Sequence, residues 1–354
     1  MDRRTLLKLP ALGLASQALP LPAATRGGRP EASTLLLPWS HGGETLRLAI
    51  TRQEAAGPAV LYVHGATFPA ALSAGWRMDG VSWLDHLQNA GLDAWAFDFA
   101  GYGNSDRPAV FAHAPGSEPP YGRCDAAASQ VAAVLARMRV ERPDVPIHLI
   151  AHSWGTLPAR AAAIAHPELV SRLVLFGPVT TRDAAPDAAT PSGPAWTLMT
   201  AAQQRPRQRT GMPGHLPTPV SDTELERWCE AYLASDPTSR ERTPLSAKIP
   251  NGPGADIDAL WAGESLVDDR SVRQPTLIVR GEWDHVTTDA DAGHLFAALV
   301  HAADKRDVKI SGGNHWLHLQ PQRRALWAET LSFLREASVH ESRPLQKPGA
   351  LGRP

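Results

Sequence analysis

Ile147-His148-Leu149-Ile150-Ala151-His152-Ser153-Trp154-Gly155-Thr156 is the stretch on which the fold of this chain turns. The apolar run 147–151 reads as a buried strand, and the Ala-rich segment 155–166 behind it reads as a helix. Only a sharp turn fits between them. A serine on such a turn has a strained backbone and lifts its hydroxyl clear of the sheet, while the residues two before and two after must be small because the turn brings them together. Here they are Ala151 and Gly155. The usual pattern is G-x-S-x-G, so Ala151 departs from it by one methyl group. Ser153 could instead be a plain helix N-cap, but a strand before, a helix after and small flanks together favour a nucleophile.

Outward from this turn the chain alternates. Strand-like runs occupy 59–63, 94–97, 173–176, 276–279 and 308–310, and helical periods occupy 81–90, 125–140, 290–301 and 322–336. Repeated strand–helix units with short connections imply an α/β fold: a mostly parallel sheet with helices on both faces. From 179 to 273 the alternation breaks. Three helical segments are expected there, at 192–204, 221–234 and 256–267, the second opening with a capping box at Ser221-Asp222-Thr223-Glu224. This insertion reads as a cap (179–273) over the carboxyl edge of the sheet, where open α/β sheets bind ligands. The core then comprises 34–178 and 274–337.

A serine hydroxyl needs a base to take its proton, and the base needs an orienting carboxylate. In this architecture the acid and then the histidine follow the serine, each just after a later strand. The strand 276–279 runs into Arg280-Gly281-Glu282-Trp283-Asp284, and the strand 308–310 into Ser311-Gly312-Gly313-Asn314-His315. Asp284 and His315 stand at the two expected places, in the expected order. Glu282 is a rival acid earlier on its strand exit. His285, His294, His301 and His318 are rival bases, of which His294 and His301 read as helix residues and His318 as a pocket neighbour. A tetrahedral intermediate also needs two backbone N–H donors. The amide of Trp154, after the nucleophile, is one; the loop His64-Gly65-Ala66-Thr67-Phe68-Pro69 places the Ala66 amide as the other.

These residues resemble the α/β-hydrolase superfamily, in its serine esterase-like branch, over most of the chain. The resemblance includes His64-Gly65, the turn Asp98-Phe99-Ala100-Gly101-Tyr102-Gly103-Asn104-Ser105, the elbow at Ser153, Asp284 and His315. Besides Ala151, the chain departs from many relatives at Thr288, where a proline often follows the acid. The resemblance implies a helical cap inserted after the sixth strand, and hydrolysis through an acyl-enzyme with no metal and no organic cofactor. Relatives that dehalogenate or open epoxides carry an aspartate at the elbow, and Ser153 argues against both. A carboxylic ester or lactone is the expected substrate. The elbow also resembles proline iminopeptidase-like enzymes, for which Glu224, Glu226 and Glu230 would bind a free amino terminus; their close spacing on one helix more often means a solvated face. A carbon–carbon bond hydrolase and a silent hydrolase fold used for binding complete the alternatives.

Composition narrows the rest. The 354 residues carry 35 Lys+Arg against 36 Asp+Glu, a net charge of −1. No concentrated positive field exists to hold nucleic acid or an anionic membrane. Two cysteines, Cys124 and Cys229, supply neither a disulfide framework nor a cysteine metal site, and are expected to be unpaired. Arg3-Arg4 ahead of a short, proline-broken apolar stretch, followed by small residues, reads as a twin-arginine export signal over 1–24. The protein would then meet the export machinery transiently and act in the periplasm or outside the cell, the alternative being the cytoplasm. That stretch is too short to span a bilayer, and no stable membrane insertion is expected. The tail 338–354 has no apolar period and reads as disordered. Tryptophan is in excess, 11 against 7 Phe and 4 Tyr. Trp154, Trp283 and Trp316 adjoin Ser153, Asp284 and His315, and Trp196, Trp228 and Trp261 fall one in each expected cap helix. Phe68, Trp316 and Trp196 are the candidate substrate-contacting aromatics, with Trp154 a further candidate wall.

Overall fold

Strands β1 (Ser33–His41) and β2 (Glu44–Gln53) open the fold as a hairpin about Gly42-Gly43. Both glycines have positive φ, 58° and 83°, as a two-residue hairpin turn requires. The structure is a computed structural model and describes residues 32–183 and 193–336. The export signal over 1–24 and the tail over 338–354 lie outside the described residues.

The expected strands and helices follow the hairpin. They are β3 (Ala59–Val63), α1 (Trp83–Asn89), β4 (Asp93–Phe97), α2 (Cys124–Glu141), β5 (Ile147–His152), α3 (Thr156–Ala165) and β6 (Arg172–Phe176). The insertion contributes β7 (Trp196–Thr200), α4 (Ala201–Gln204), α5 (Asp222–Ala234), β8 (Ser246–Pro250) and α6 (Gly252–Trp261). The sheet then resumes with β9 (Thr276–Gly281), α7 (Asp289–Ala298), β10 (Lys305–Ile310) and α8 (Arg323–Arg335). Eight strands form one sheet in the order β1-β2-β4-β3-β5-β6-β9-β10, parallel from β4 onward.

Alternate residues of each central strand feed two different cores, as the two-residue period of a strand dictates. Leu61, Val63, Leu149, Ala151, Leu173 and Leu175 pack with Val131, Val134 and Leu135 of α2 and Leu157 of α3. Val60, Tyr62, Ile150, Val174 and Phe176 pack on the other face with Trp83 and Leu87 of α1 and Leu326 and Phe333 of α8. A sheet buried on both faces explains why its central strands read as nearly continuous apolar runs.

The insertion differs from the expected three helices. Residues 196–200 pair with 246–250 as a two-stranded antiparallel ribbon, Trp196 opposite Pro250. The expected helix from 192 is therefore a strand followed by the single turn α4, whose Thr200 N-cap takes part in a capping box with Gln203; Ser192 itself lies outside the described residues. The third helix sits earlier than expected, because Asn251-Gly252-Pro253 starts it at the end of β8. At α5 only half of the predicted capping box forms: Ser221 accepts from the Glu224 amide, while the Glu224 carboxylate accepts from Trp76 Nε1 and Arg227. Cys124 and Cys229 are both buried free thiols. Among the described residues no helix is long and apolar enough to cross a membrane.

Candidate active site

Ser153 sits where β5 gives way to α3 and has a positive φ of 55°, a conformation that costs a non-glycine residue of the order of 1–3 kcal/mol. The sequence around it is what makes this turn possible. A Cβ on Gly155 would stand 2.2 Å from the His64 carbonyl oxygen, so only glycine lets the elbow press against the end of β3. Ala151 lies inside β5, paired with Val63 and Leu175, where its methyl group is part of the core.

His315 Nε2 lies 2.8 Å from Ser153 Oγ, and His315 Nδ1 lies 2.9 Å and 3.0 Å from the two Asp284 oxygens. With the carboxylate accepting at Nδ1, the proton sits there and leaves Nε2 as the acceptor for the serine hydroxyl. Burial pushes the Asp284 carboxyl up, but the His315 imidazole and the Thr287 and Val286 amides outweigh it and hold the group below the usual carboxylate range. The structure thus brings together the three side chains that the spacing predicts. Glu282 is not brought to His315: it is exposed and accepts from Ser311 Oγ and the Gly312 amide. The rival bases fall elsewhere. His294 is exposed on α7, His301 is exposed beyond its end, and His285 only approaches His315 with its ring, 6.1 Å between centroids.

The loop after β3 lies directly over the serine, since a Cβ on Gly65 would stand 2.9 Å from Ser153 Cβ. His64 fixes it. Its Nδ1 donates to the Gly65 carbonyl at 2.7 Å and its Nε2 accepts from the Phe99 amide at 3.1 Å. Burial pushes this imidazole down to about 4, so it stays neutral in that tautomer. The Ala66 amide has no acceptor among the described residues, and the Trp154 amide belongs to a first helical turn, whose N–H groups have no partner within the helix. The turn after β4 is structural: Asp98 accepts from the Ala70 and Asn104 amides at 2.9 and 3.0 Å.

The expected aromatic wall is rearranged. Phe68 and Trp316 are buried edge to face, 5.6 Å apart, and Trp228 of α5 packs on both, at 5.3 and 4.9 Å. Trp228 also donates to the Leu72 carbonyl, pinning α5 to the core. The gap between Trp316, Trp228 and Leu319 is only about 10 Å³, so these rings form a packed floor. Trp154 points into the core instead, donating to Asp256 of α6 at 3.0 Å and lying edge-on to Phe99. Trp196 is not brought to the site; its ring joins Val110 and Phe111 and lies under the Lys248 ammonium at 3.9 Å. It was expected on a cap helix, and its place on the ribbon is why it turns elsewhere. Glu226 and Glu230 are exposed on α5, and Glu224 is paired with Arg227.

His318, expected as a pocket neighbour, is joined at the site by residues that the sequence did not single out. Asn314 is fully buried beside His315; its Nδ2 donates to the Arg207 and Thr210 carbonyls at 3.1 and 2.9 Å, and its Oδ1 accepts from Trp316 N and Gln320 Nε2. Gly177, at the end of β6, has φ of 54°, and a Cβ there would meet Asp284 Oδ2 at 3.0 Å and His315 at 3.1 Å. His152 and His318 stack beside the triad, His152 lying 5.0 Å from His315 and 4.4 Å from His318 between ring centroids. Burial holds His152 well below, and His318 down to about 3, so both are uncharged. Asn314 had a signal, its place before the histidine. His152 had one in its place before Ser153, and His318 in its place after His315, whereas nothing in the sequence marks out Gly177. Among the described residues no group of three His, Cys, Asp or Glu side chains is placed to hold a metal ion.

A family model described as the alpha/beta hydrolase fold matches residues 58–322. Among similar solved structures is the thioesterase domain from the curacin biosynthetic pathway, 17% identical with a TM-score of 0.56, covering 84% of this chain and 99% of that one. Another is the 2-hydroxy-6-oxo-6-phenylhexa-2,4-dienoate hydrolase from Rhodococcus sp., 15% identical with a TM-score of 0.55, covering 86% and 100%. A third is a probable hydrolytic enzyme from Pseudomonas aeruginosa, 20% identical with a TM-score of 0.57, covering 86% and 95%. Identities this low carry the fold alone. No curated protein matches the sequence.

Proposed function

Because the chain belongs to the α/β-hydrolase fold family, we propose that it is a serine hydrolase that cleaves a carboxylic ester or lactone through an acyl-enzyme intermediate. The observation that carries this reading is the unbroken chain from Asp284 through His315 to a serine held at positive φ. Ser153 Oγ attacks the carbonyl carbon while His315 Nε2 takes its proton, and Asp284 stabilises the imidazolium that forms. The Ala66 and Trp154 amides receive the oxyanion. The imidazolium then returns the proton to the departing alcohol oxygen. Water attacks the acyl-enzyme by the same route in reverse, with His315 again as base.

The packed aromatic floor of Phe68, Trp228 and Trp316 supports an organic acyl or alkoxy group as the neighbour of the reacting carbonyl. The Arg3-Arg4 leader supports export, which would place this activity in the periplasm or outside the cell. A panel of esters, lactones and aminoacyl anilides tests the assignment. Turnover of esters or lactones that disappears in Ser153→Ala is the expected result. Turnover confined to the anilides would overturn the ester reading.

A further inference from the structure

Arg207 is a half-buried cation with no counter-ion among the described residues. It lies in the short turn Arg205–Gln208 after α4. Its Nη1 donates to Thr67 Oγ1 at 2.8 Å and to Gln204 Oε1 at 3.0 Å, while Nε and Nη2 have no protein acceptor among the described residues. Arg52 is paired with Asp93, Arg160 with Asp269 and Arg280 with Asp307. Arg107, like Arg207, makes no ion pair among the described residues, but it satisfies both terminal nitrogens on the Ser105 and Ser235 carbonyls. Burial lowers the basicity of Arg207, yet Nε and Nη2 are not among the buried unpartnered nitrogens of the described residues and stay open to an incoming group.

Its position is fixed from two sides of the reacting centre. Thr67 follows Ala66 on the loop that covers Ser153, and its φ of 77° is strained for a β-branched residue. On the other side, the loop that carries His315 holds the Arg207 segment by its backbone, Asn314 donating to the Arg207 carbonyl and Gln320 to the Gln208 carbonyl. Burial first, and then neighbouring imidazoles, keep His152 and His285 neutral, and the Arg207 charge adds a smaller contribution in the same sense. A planar guanidinium with Nε and Nη2 free on one edge matches a carboxylate in two-point geometry.

We infer that the substrate is an ester or lactone bearing a carboxylate near its scissile carbonyl, and that the free edge of Arg207 pairs with that carboxylate. The inference rests on the serine-hydrolase reading of the same site and adds the charge of its substrate. The bound carboxylate supplies the missing counter-ion, and the pairing fixes the ester carbonyl between Ser153 and the two amides. A structural clamp on Thr67 would use Nη1 alone and would leave Nε and Nη2 without a purpose.

Two matched pairs of probes test it without prejudging which side of the ester is charged. The first pair is 4-nitrophenyl hydrogen glutarate against 4-nitrophenyl valerate, and the second is 4-(butyryloxy)benzoate against phenyl butyrate. In the wild type, kcat/KM for the carboxylated member of at least one pair should exceed its neutral partner by about tenfold to a hundredfold, the range of one charge-assisted contact. Arg207→Gln keeps a donor for Thr67 but no charge, and its ratio should fall towards one. Arg207→Lys keeps charge without the planar fork and should retain only part of the preference. Ratios near one in both pairs for the wild type, or an unchanged ratio in Arg207→Gln, overturn the inference. Fluorophosphonate labelling of Ser153 run alongside separates the two levels: labelling with flat ratios removes the carboxylate alone, whereas an unlabelled wild type removes the serine-hydrolase reading beneath it.

Discussion

His318 lies in a single buried turn, Leu317–Leu319, stacked on Phe68, edge-on to Phe176 and tilted against His152, with both ring nitrogens lacking a hydrogen-bond partner. Burial, with the neighbouring His315 acting in the same sense, pushes its pKa from the ordinary 6.5 down to about 3. Below pH 6.5 the unfolded chain therefore takes up a proton here that the folded chain refuses. The stability held by the neutral ring is complete above 6.5 and is lost as the pH falls towards 3. At pH 5 the free imidazole is almost fully protonated and the buried one is not, which costs about 2 kcal/mol; at pH 8 the cost is near zero. His64 and His148, pushed down by burial to about 4, act in the same direction, so the wild type should lose more than this in total. His318→Phe keeps a flat ring in the stack and removes the titrating group. The assay is urea unfolding followed by tryptophan fluorescence for both proteins at pH 8 and pH 5. Relative to the wild type, the variant should gain about 2 kcal/mol on going from pH 8 to pH 5, whatever its stability at pH 8. Parallel losses in the two proteins would refute the reasoning, because they would mean that the folded state protonates His318 as readily as water does.

Three further substitutions probe the site. Asp284→Asn should leave the fold intact and lower kcat by on the order of 10³–10⁴, because an amide at Oδ1 and Oδ2 no longer selects the Nδ1–H tautomer of His315; steady-state kinetics check it, and a loss below about tenfold would contradict the role. Gly177→Ala puts a methyl group 3.0 Å from Asp284 Oδ2 at positive φ, and should cost roughly 1 kcal/mol or more of stability together with at least a hundredfold in kcat. Thermal unfolding and turnover of the same preparation read both effects. Asn314→Leu removes the donors to Arg207 and Thr210 and the acceptor for Trp316 and Gln320, leaving buried backbone groups unpaired; a loss of roughly 1–3 kcal/mol in denaturant unfolding is expected, with kcat lowered as the His315 loop loosens.

The geometry of the candidate site was legible because Ser153, Asp284 and His315 each follow a strand and lie close to glycine. Parallel strands buried on both faces read clearly, and their order along the chain sets where their ends converge, so Ser153, Asp284 and His315 could be placed by counting strands. The insertion was less legible. Residues 196–200 form one half of an isolated ribbon, half-exposed and with no alternation strong enough to contradict a helical reading. The leading hairpin was missed for a related reason: β1 is an edge strand, exposed at most of its positions, and shows no buried face to detect. Trp154 makes the more general point. Adjacency to the nucleophile suggested a pocket wall, yet at a sharp elbow the next side chain turns back into the core, and Trp154 ends on Asp256, which Arg123 also holds. Arg207 had no signal at all, since only three-dimensional packing shows that Nε and Nη2 have no acceptor among the described residues.

Covalent capture would show whether Ser153 is an activated nucleophile. The folded protein would be treated with a fluorophosphonate probe, digested and analysed by peptide mass spectrometry. One adduct is expected, on Ser153, formed rapidly in the wild type and absent in Ser153→Ala. Folded wild-type protein that remains unlabelled, or that carries its adduct on another residue, would contradict it.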